Sequence, residues 1–324
     1  MHRLTLLAAL AASALAAGCG AQQILLGTEG EYLVTVRDVL APPGKEVDLV
    51  ARLQEGDLLR GRMGHVIHFK RDGQLVKAAE TDDDGEARAR FTPDAPGDQV
   101  FAVEVSAVGL EGDPPPPREL LVACRPTTAR IAVVDLDKTV VASGFHTVLL
   151  GNPEPMAGSV DVLKRVAADH TIVYLTHRPD YFGPKSKAWL WASGYPRGPV
   201  LLSSVSSFLK GSGTYKSDMI RGMKDTFPQV EIGIGDKFSD VEAYHANGLT
   251  SILILPVPED PSSKKLEELA DKVDALPQAI HVTRGWDAVE AVLYEGKSYP
   301  PSAMAKALRD RAAEKAKDEG EEEK

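Results

Sequence analysis

After residue 128 the chain carries five short, nearly continuous apolar runs: RIAVVDLD, TIVYLTHR, GPVLLSS, VEIGIGDK and TSILILPV. Helix-like stretches lie between them: SVDVLKRVAAD, PKSKAWLWASG, KSDMIRGMKDTFP and DVEAYHANG. Runs without polar alternation suit strands buried on both faces, and strands that alternate with helices predict an α/β domain with a parallel sheet. Such a sheet presents ligands at the carboxyl ends of its strands. Polar residues cluster just after three of the runs, so they converge on one edge.

The residues before Cys124 read differently. EYLVTVRDVL, KEVDLVARLQ, HVIHFKRDG, GEARARFTP and DQVFAVEVSAV alternate apolar and polar residues, broken by the turn signals PPGK, RDGQ, DDDGE and DAPGD. This spacing predicts an antiparallel all-β sandwich over residues 24–125. The stretch VIHFKRDGQLVKAAETDDDGEARARFTPDAPGDQVFAVEV resembles a bacterial immunoglobulin-like domain, which implies a spacer or binding module. Asp82, Asp83 and Asp84 precede Gly85 as a hairpin turn does, in preference to a calcium site. The prolines of DPPPP read as a stiff loop between the last two strands.

The first residues, MHRLTLLAALAASALAAGCG, combine a basic start, an apolar run and small residues, which is the pattern of an export signal over residues 1–19. LAAGC resembles the lipobox of bacterial lipoproteins, with Leu15 one position further from Cys19 than usual. The alternatives are lipidation of Cys19 and ordinary cleavage after Ala16 or Ala17. Lipidation is preferred because it removes an exposed free thiol. The expectation is an exported lipoprotein, membrane-anchored and facing the periplasm or the cell exterior. Two cysteines, Cys19 and Cys124, define no disulfide framework.

At 324 residues the chain has room for a multidomain arrangement, and a net charge of -10 gives no electrostatic reason to bind nucleic acid. The second domain is placed at residues 128–296, and residues 297–324 as a charged helical or disordered tail.

The chemistry concentrates in the second domain. Asp135 and Asp137 end its first apolar run, Thr176 ends the second, Lys216 opens a helix-like segment, and Asp236 and Asp240 follow in GIGDKFSD. One carboxylate can attack phosphorus, and a second can protonate the leaving oxygen and then activate water. Clustered carboxylates beside a phosphate call for a hard cation such as Mg2+. A lysine and a hydroxyl suit the phosphoryl oxygens.

DLDKT, the threonine, the lysine and GDKFSD together resemble the four motifs of the haloacid dehalogenase (HAD) superfamily. The resemblance implies a Rossmann-like fold, with Asp135 as nucleophile and metal ligand. It implies Asp137 as general acid/base and as a ligand through its carbonyl. Thr176 and Lys216 would hold the phosphoryl group, Asp236 a metal, and Asp240 the metal or its ligands. SVDVLKRVAADHTIVYLTHRPDYFGPKSKAWLWASGYPRGPVLLSS is similar to the lipin-type domain of lipin phosphatidate phosphatases and of Nir/RdgB phosphatidylinositol-transfer proteins. Lipins have glycine where this chain has Lys138. The transfer-protein versions generally lack the full acidic set and are thought to bind phosphatidate without hydrolysing it.

His177 and Arg178 follow Thr176 and are possible substrate contacts, or loop residues held by hydrogen bonds. Trp189 and Trp191 cannot share a helix face, so one is expected in the core and the other toward a partner or lipid. Lys237 reads as a surface charge, and the side chain of Lys138 is left open between the phosphate and solvent. The gaps between motifs hold no large cap, which suits a substrate presented by a larger body. The expected function is Mg-dependent hydrolysis of a phosphomonoester, phosphatidate or a related phospholipid first, with the membrane surface as partner. The alternatives are a non-catalytic phosphatidate-binding module and a cell-surface binding protein acting through the immunoglobulin-like domain.

Overall fold

A computed structural model describes residues 32–56, 59–142, 153–204 and 211–322. The expected export signal and Cys19 lie outside these residues. In chain order the strands of the first half are β1 (Tyr32–Arg37), β2 (Val39–Ala41), β3 (Val47–Glu55), β4 (Arg60–Gly61), β5 (Val66–Arg71), β6 (Gln74–Glu80), β7 (Glu86–Phe91), β8 (Gly97–Val105) and β9 (Arg118–Cys124). There follow β10 (Ile131–Val134), helix α1 (Ser159–Val166), β11 (Thr171–Pro179), α2 (Gly183–Ala192), β12 (Val200–Ser203), α3 (Ser212–Lys224) and β13 (Val230–Gly235). The chain continues through α4 (Phe238–Ala246), β14 (Thr250–Ile254), α5 (Ser263–Asp274), β15 (His281–Thr283), α6 (Trp286–Glu295) and α7 (Pro301–Glu322).

Contacts divide the chain into two units that do not follow it linearly. Among the described residues, 32–128 cluster with 178–204, and 129–142, 153–177 and 211–322 form the second unit. The segment 178–204, which the sequence assigns to the second domain, thus belongs with the strands of the first half.

In the first unit β1, β4 and β7 all pair with β3, and a second sheet runs β2-β9-β8-β5-β6. Alternation decides which side chains meet between the sheets. In β7, Ala87, Ala89 and Phe91 are buried while Arg88 and Arg90 are exposed. They join a core with Leu49, Leu53, Phe69 and Phe101. Asp82 makes the expected turn: its Oδ1 accepts from the Asp84 amide at 3.0 Å and from the Glu86 amide at 2.8 Å. The prolines of DPPPP lie in the β8–β9 connection. Cys124 is a free, buried thiol whose pKa is pushed up by that burial.

The stretch EYLVTVRDVL, read as one strand, breaks at Asp38, where the chain leaves the sheet of β3 to pair with β9. The Asp38 carboxylate is the physical reason for the break. It accepts from the backbone amides of Leu121 (2.8 Å) and Val200 (2.9 Å) and pairs with Lys187 Nζ at 2.5 Å. Lys187 also donates to the Glu119 carbonyl at 2.8 Å. These bonds tie α2 and β12 into this unit. Neither tryptophan of α2 is a core residue, contrary to the sequence expectation. Both are half-buried, Trp189 against Tyr195 at 5.5 Å and Trp191 beneath the Arg197 guanidinium at 5.6 Å.

In the second unit five strands run parallel in the order β11-β10-β13-β14-β15. The charged tail, expected as helical or disordered, is a 22-residue helix. Ala305, Leu308 and Ala312 recur on one buried face of α7, and α5 buries Leu266, Ala270 and Val273. Arg309 reaches Asp271 at 3.0 Å and Asp274 at 3.1 Å, and Lys315 reaches Asp260 at 2.8 Å. Packing against α5 therefore stabilises as a helix a sequence whose charge alone left helix and disorder open. Among the described residues no helix is long and apolar enough to cross a membrane.

Candidate active site

Strand register brings the motifs together. Val134, the last residue of β10, lies level with Tyr174 of β11 and Ile234 of β13. The residues just beyond, Asp135 on one strand, Thr176 on its neighbour and Asp236 on the other, therefore share the carboxyl edge of the sheet. The Asp135 amide still donates to the Ile234 carbonyl at 2.9 Å, so the ladder holds the first aspartate rigidly. β11 continues to Pro179, so Thr176 lies within the strand rather than at its end. The loop after Asp135 closes on itself, with the amides of Val140 and Val141 donating to the Leu136 carbonyl at 3.0 and 3.1 Å. Trp286 of α6 fastens it by donating Nε1–H to the Thr139 carbonyl at 2.7 Å.

Lys216, in α3, is fully buried between two carboxylates. Its Nζ is 2.8 Å from Asp135 Oδ1 and 2.5 Å from Asp240 Oδ2. Burial opposes its charge, yet Asp135, Tyr244 and Asp240 outweigh burial and hold its pKa well above the usual lysine range. Asp240, in the first turn of α4, also accepts from Ser212 Oγ at 2.8 Å. The Lys216 ammonium lies 5.8 Å from the centre of the Tyr244 ring, within cation–π range.

Asp135, Asp236 and Asp240 are buried, and each offers an oxygen within 4.8 Å of the others. If all three are ionised, Lys216 leaves two negative charges uncompensated. The strain shows at Asp236, whose pKa is pushed up to about 7 by burial and by Asp135 and Asp240, against the pull of Lys237 and Lys216. Among the described residues, Asp135 Oδ2 and Asp236 Oδ1 are buried with no hydrogen-bond partner. Orphaned oxygens, excess negative charge and an all-oxygen donor set fit a hard divalent cation.

Of the remaining candidates, Asp137 is half-exposed beside this cluster in sequence, and Lys237 is exposed as expected. The His177 ring lies 5.7 Å from that of Tyr215, also in α3. Arg178 is buried and donates to Ser186 Oγ at 2.8 Å. Its unit is the sandwich unit, whereas all six motif residues belong to the other. Sequence reasoning missed Ser212, Tyr244 and Trp286. Tyr244 had a visible signal in the glycine pair of GIGD.

That glycine pair exists for close approach. A Cβ on Gly233 would stand 2.4 Å from Tyr244 Cγ, an impossible contact. Gly233→Ala is expected to force the ring off β13, at about 1–3 kcal/mol of stability, and to loosen Lys216 beneath it. Chemical denaturation reads the first effect; an unchanged midpoint would show that the ring does not pack as described.

No curated protein sequence matches the chain. Among solved structures, the D0-D1 domain of Intimin is 17% identical with a TM-score of 0.22, covering 29% of this chain and 49% of that one. The CARDB domain of a Pyrococcus furiosus protein is 15% identical with a TM-score of 0.20, covering 30% of this chain and 96% of that one. A putative α-galactosidase from Bacteroides fragilis is 9% identical with a TM-score of 0.21, covering 81% and 53%. The chain thus spans about half the length of the Intimin and galactosidase structures. With scores this low, the sandwich assignment rests on its own strand pairing. Residues 132–256 match the family model described as PITM 1-3, LNS2 domain. This segment, which contains all six motif residues, is a lipin/Nir-RdgB-type domain of the haloacid dehalogenase-like kind.

Proposed function

We propose that the chain is a magnesium-dependent phosphomonoester hydrolase that works through an aspartyl-phosphate, with phosphatidate or a related phospholipid monoester as substrate. The observation that carries this reading is the buried Lys216 clamped between Asp135 and Asp240, with Asp135 Oδ2 left unpartnered at the strand end. In this reading Lys216 fixes one oxygen of Asp135 and the carboxylate attacks phosphorus. Asp137 gives its proton to the departing alcohol oxygen. Asp137 then takes a proton from water as that water attacks the phosphorus, which releases phosphate and restores Asp135. Thr176 and Lys216 hold the phosphoryl oxygens as charge shifts between them. Mg2+, held by Asp135, Asp236, Asp240 and the Asp137 carbonyl, would neutralise charge between the carboxylates and the phosphate. Export and a lipid anchor on Cys19 would place the site at a membrane surface, where phospholipid monoesters reside.

Because Asp236 must ionise to hold the cation and its pKa stands at about 7, Mg2+ affinity is expected to weaken about tenfold per pH unit below that value and to level off above it. Titration calorimetry in two buffers of different protonation enthalpy reads the proton released. Equal heats at about pH 6 would contradict the assignment.

The direct test is phosphate release from phosphatidate vesicles, soluble phosphomonoesters and phosphopeptides, with Mg2+ or with a chelator. Mg2+-dependent release greatest on phosphatidate is the expected result. The resemblance to the transfer-protein versions of the domain supports a second reading, a phosphatidate-binding module without turnover. Vesicle binding with no release from any substrate would establish that reading instead.

A further inference from the structure

A second feature of the same unit bears on what the scissile phosphate is attached to. A cavity of about 560 Å3 is lined by Lys138 of the nucleophile loop and by Arg284, just beyond the end of β15. Its apolar wall includes Met156, Ile254, Leu255 and Val257, the last three at and just past the end of β14. Its volume falls within the range of about 300–1,000 Å3 usual for small-molecule sites.

Both cations are exposed, and among the described residues neither forms an ion pair. One carboxylate, Glu259, also lines the cavity, so its charged groups sum to a net positive charge. Lys138 has a φ of 53°, a left-handed conformation that costs any residue with a side chain and costs glycine nothing. A lysine held there keeps an ammonium beside the cavity at the expense of backbone comfort. Lys138 also directly follows Asp137, the residue assigned to protonate the leaving oxygen, and Ala142 of the same loop lines the cavity too, so the nucleophile loop connects the two.

Resting on the phosphatase reading, we infer that this cavity is the leaving-group subsite, built for an amphiphile that carries a second anionic group besides the scissile phosphate. The apolar wall takes the aliphatic part, and Lys138 with Arg284 takes the second charge. Within the proposed substrate class this favours a related phospholipid monoester whose leaving group carries a further anionic group over phosphatidate, whose diacylglycerol leaving group is neutral.

Three soluble probes below their micelle concentrations test this with the full chain: phenyl phosphate, octyl phosphate and monooctanoylglycerol bisphosphate. In the wild type, kcat/KM is expected to rise along that series. In Lys138→Gly/Arg284→Ala the advantage of the bisphosphate over octyl phosphate should shrink about tenfold, the combined worth of two partly exposed cations. Val257→Glu should instead erode the advantage of octyl over phenyl phosphate. An unchanged bisphosphate-to-octyl ratio overturns the inference. So does a variant that loses only stimulation by anionic bilayers, because the second charge would then belong to neighbouring lipids.

Failure of the phosphatase reading looks different, as no Asp135-dependent release from any probe. In that case calorimetric binding of the bisphosphate to Asp135→Asn, abolished by the double substitution, still supports the subsite. Its absence overturns that too.

Discussion

Phosphate release by the Asp135→Asn protein is expected to fall by at least about 10^4-fold, the scale on which removal of a covalent nucleophile acts. Asparagine keeps the shape of the side chain and an oxygen that can still accept from Lys216 Nζ, 2.8 Å away in the native protein. It cannot form the acyl phosphate. Removing one of three crowded negative charges should not weaken the fold, because Asp236 is already pushed toward its neutral form by burial and by this neighbour. Loss of activity should therefore come with an unchanged or raised melting temperature in chelator. A variant that keeps release within about tenfold of wild type would remove Asp135 from the nucleophile's role. Asp137→Asn separates the two carboxylates further. General acid–base assistance is worth about 10^2–10^4-fold, so the loss should be smaller. With an activated ester, which needs no protonation to leave, the phosphorylated enzyme should accumulate.

The second large effect is structural. Asp38→Ala is expected to destabilise the first unit by about 3–5 kcal/mol, as one partner of a buried ion pair disappears. Lys187 is buried, and its ammonium would be left with only the Glu119 carbonyl. The amides of Leu121 and Val200 would lose their acceptor at the same time. Burial pushes the Asp38 pKa up while Lys187 and the two amides pull it back, so the charge survives only through these partners. Asp38→Asn with Lys187→Met should recover most of the loss, since no ion remains buried and one oxygen still faces the amides. Denaturant unfolding monitored by tryptophan fluorescence follows the unit through Trp189 and Trp191, with Trp286 reporting on the other unit. A cost below about 1 kcal/mol for the single change would show that Lys187 finds water instead.

Both predictions turn on residues that differ greatly in how visible they are in the chain. Asp135, Thr176 and Asp236 could be placed on one edge because each lies in or just after an unbroken apolar run, and parallel pairing aligns such positions. Lys216 and Asp240 fell into place as polar residues of the following helices. The alternation in GEARARF equally revealed which side of its strand faces the core. Nothing local marks Asp38, which looks like one polar position in an ordinary alternating strand. Its partner Lys187 is 149 residues away, inside a segment whose apolar pattern belongs to the other domain. Trp286 meets the nucleophile loop across 147 residues for the same reason.

Charge alone left α7 open between helix and disorder. The small residues of its first turns fit against α5, and the fit decides for the helix. Lys138 shows the limit most sharply, since a left-handed backbone angle at a lysine is written in no composition or period. By itself the sequence determined what depends on near neighbours along the chain: which strands are buried on both faces and which carboxylates follow them. Tertiary structure decided whatever depends on desolvation and on partners far along the chain. Those are the pairing of Asp38 with Lys187, the unit to which residues 178–204 belong, and the two cations left over at the cavity. A buried charge is tolerable only beside a specific opposite charge, and only the folded chain brings the two together.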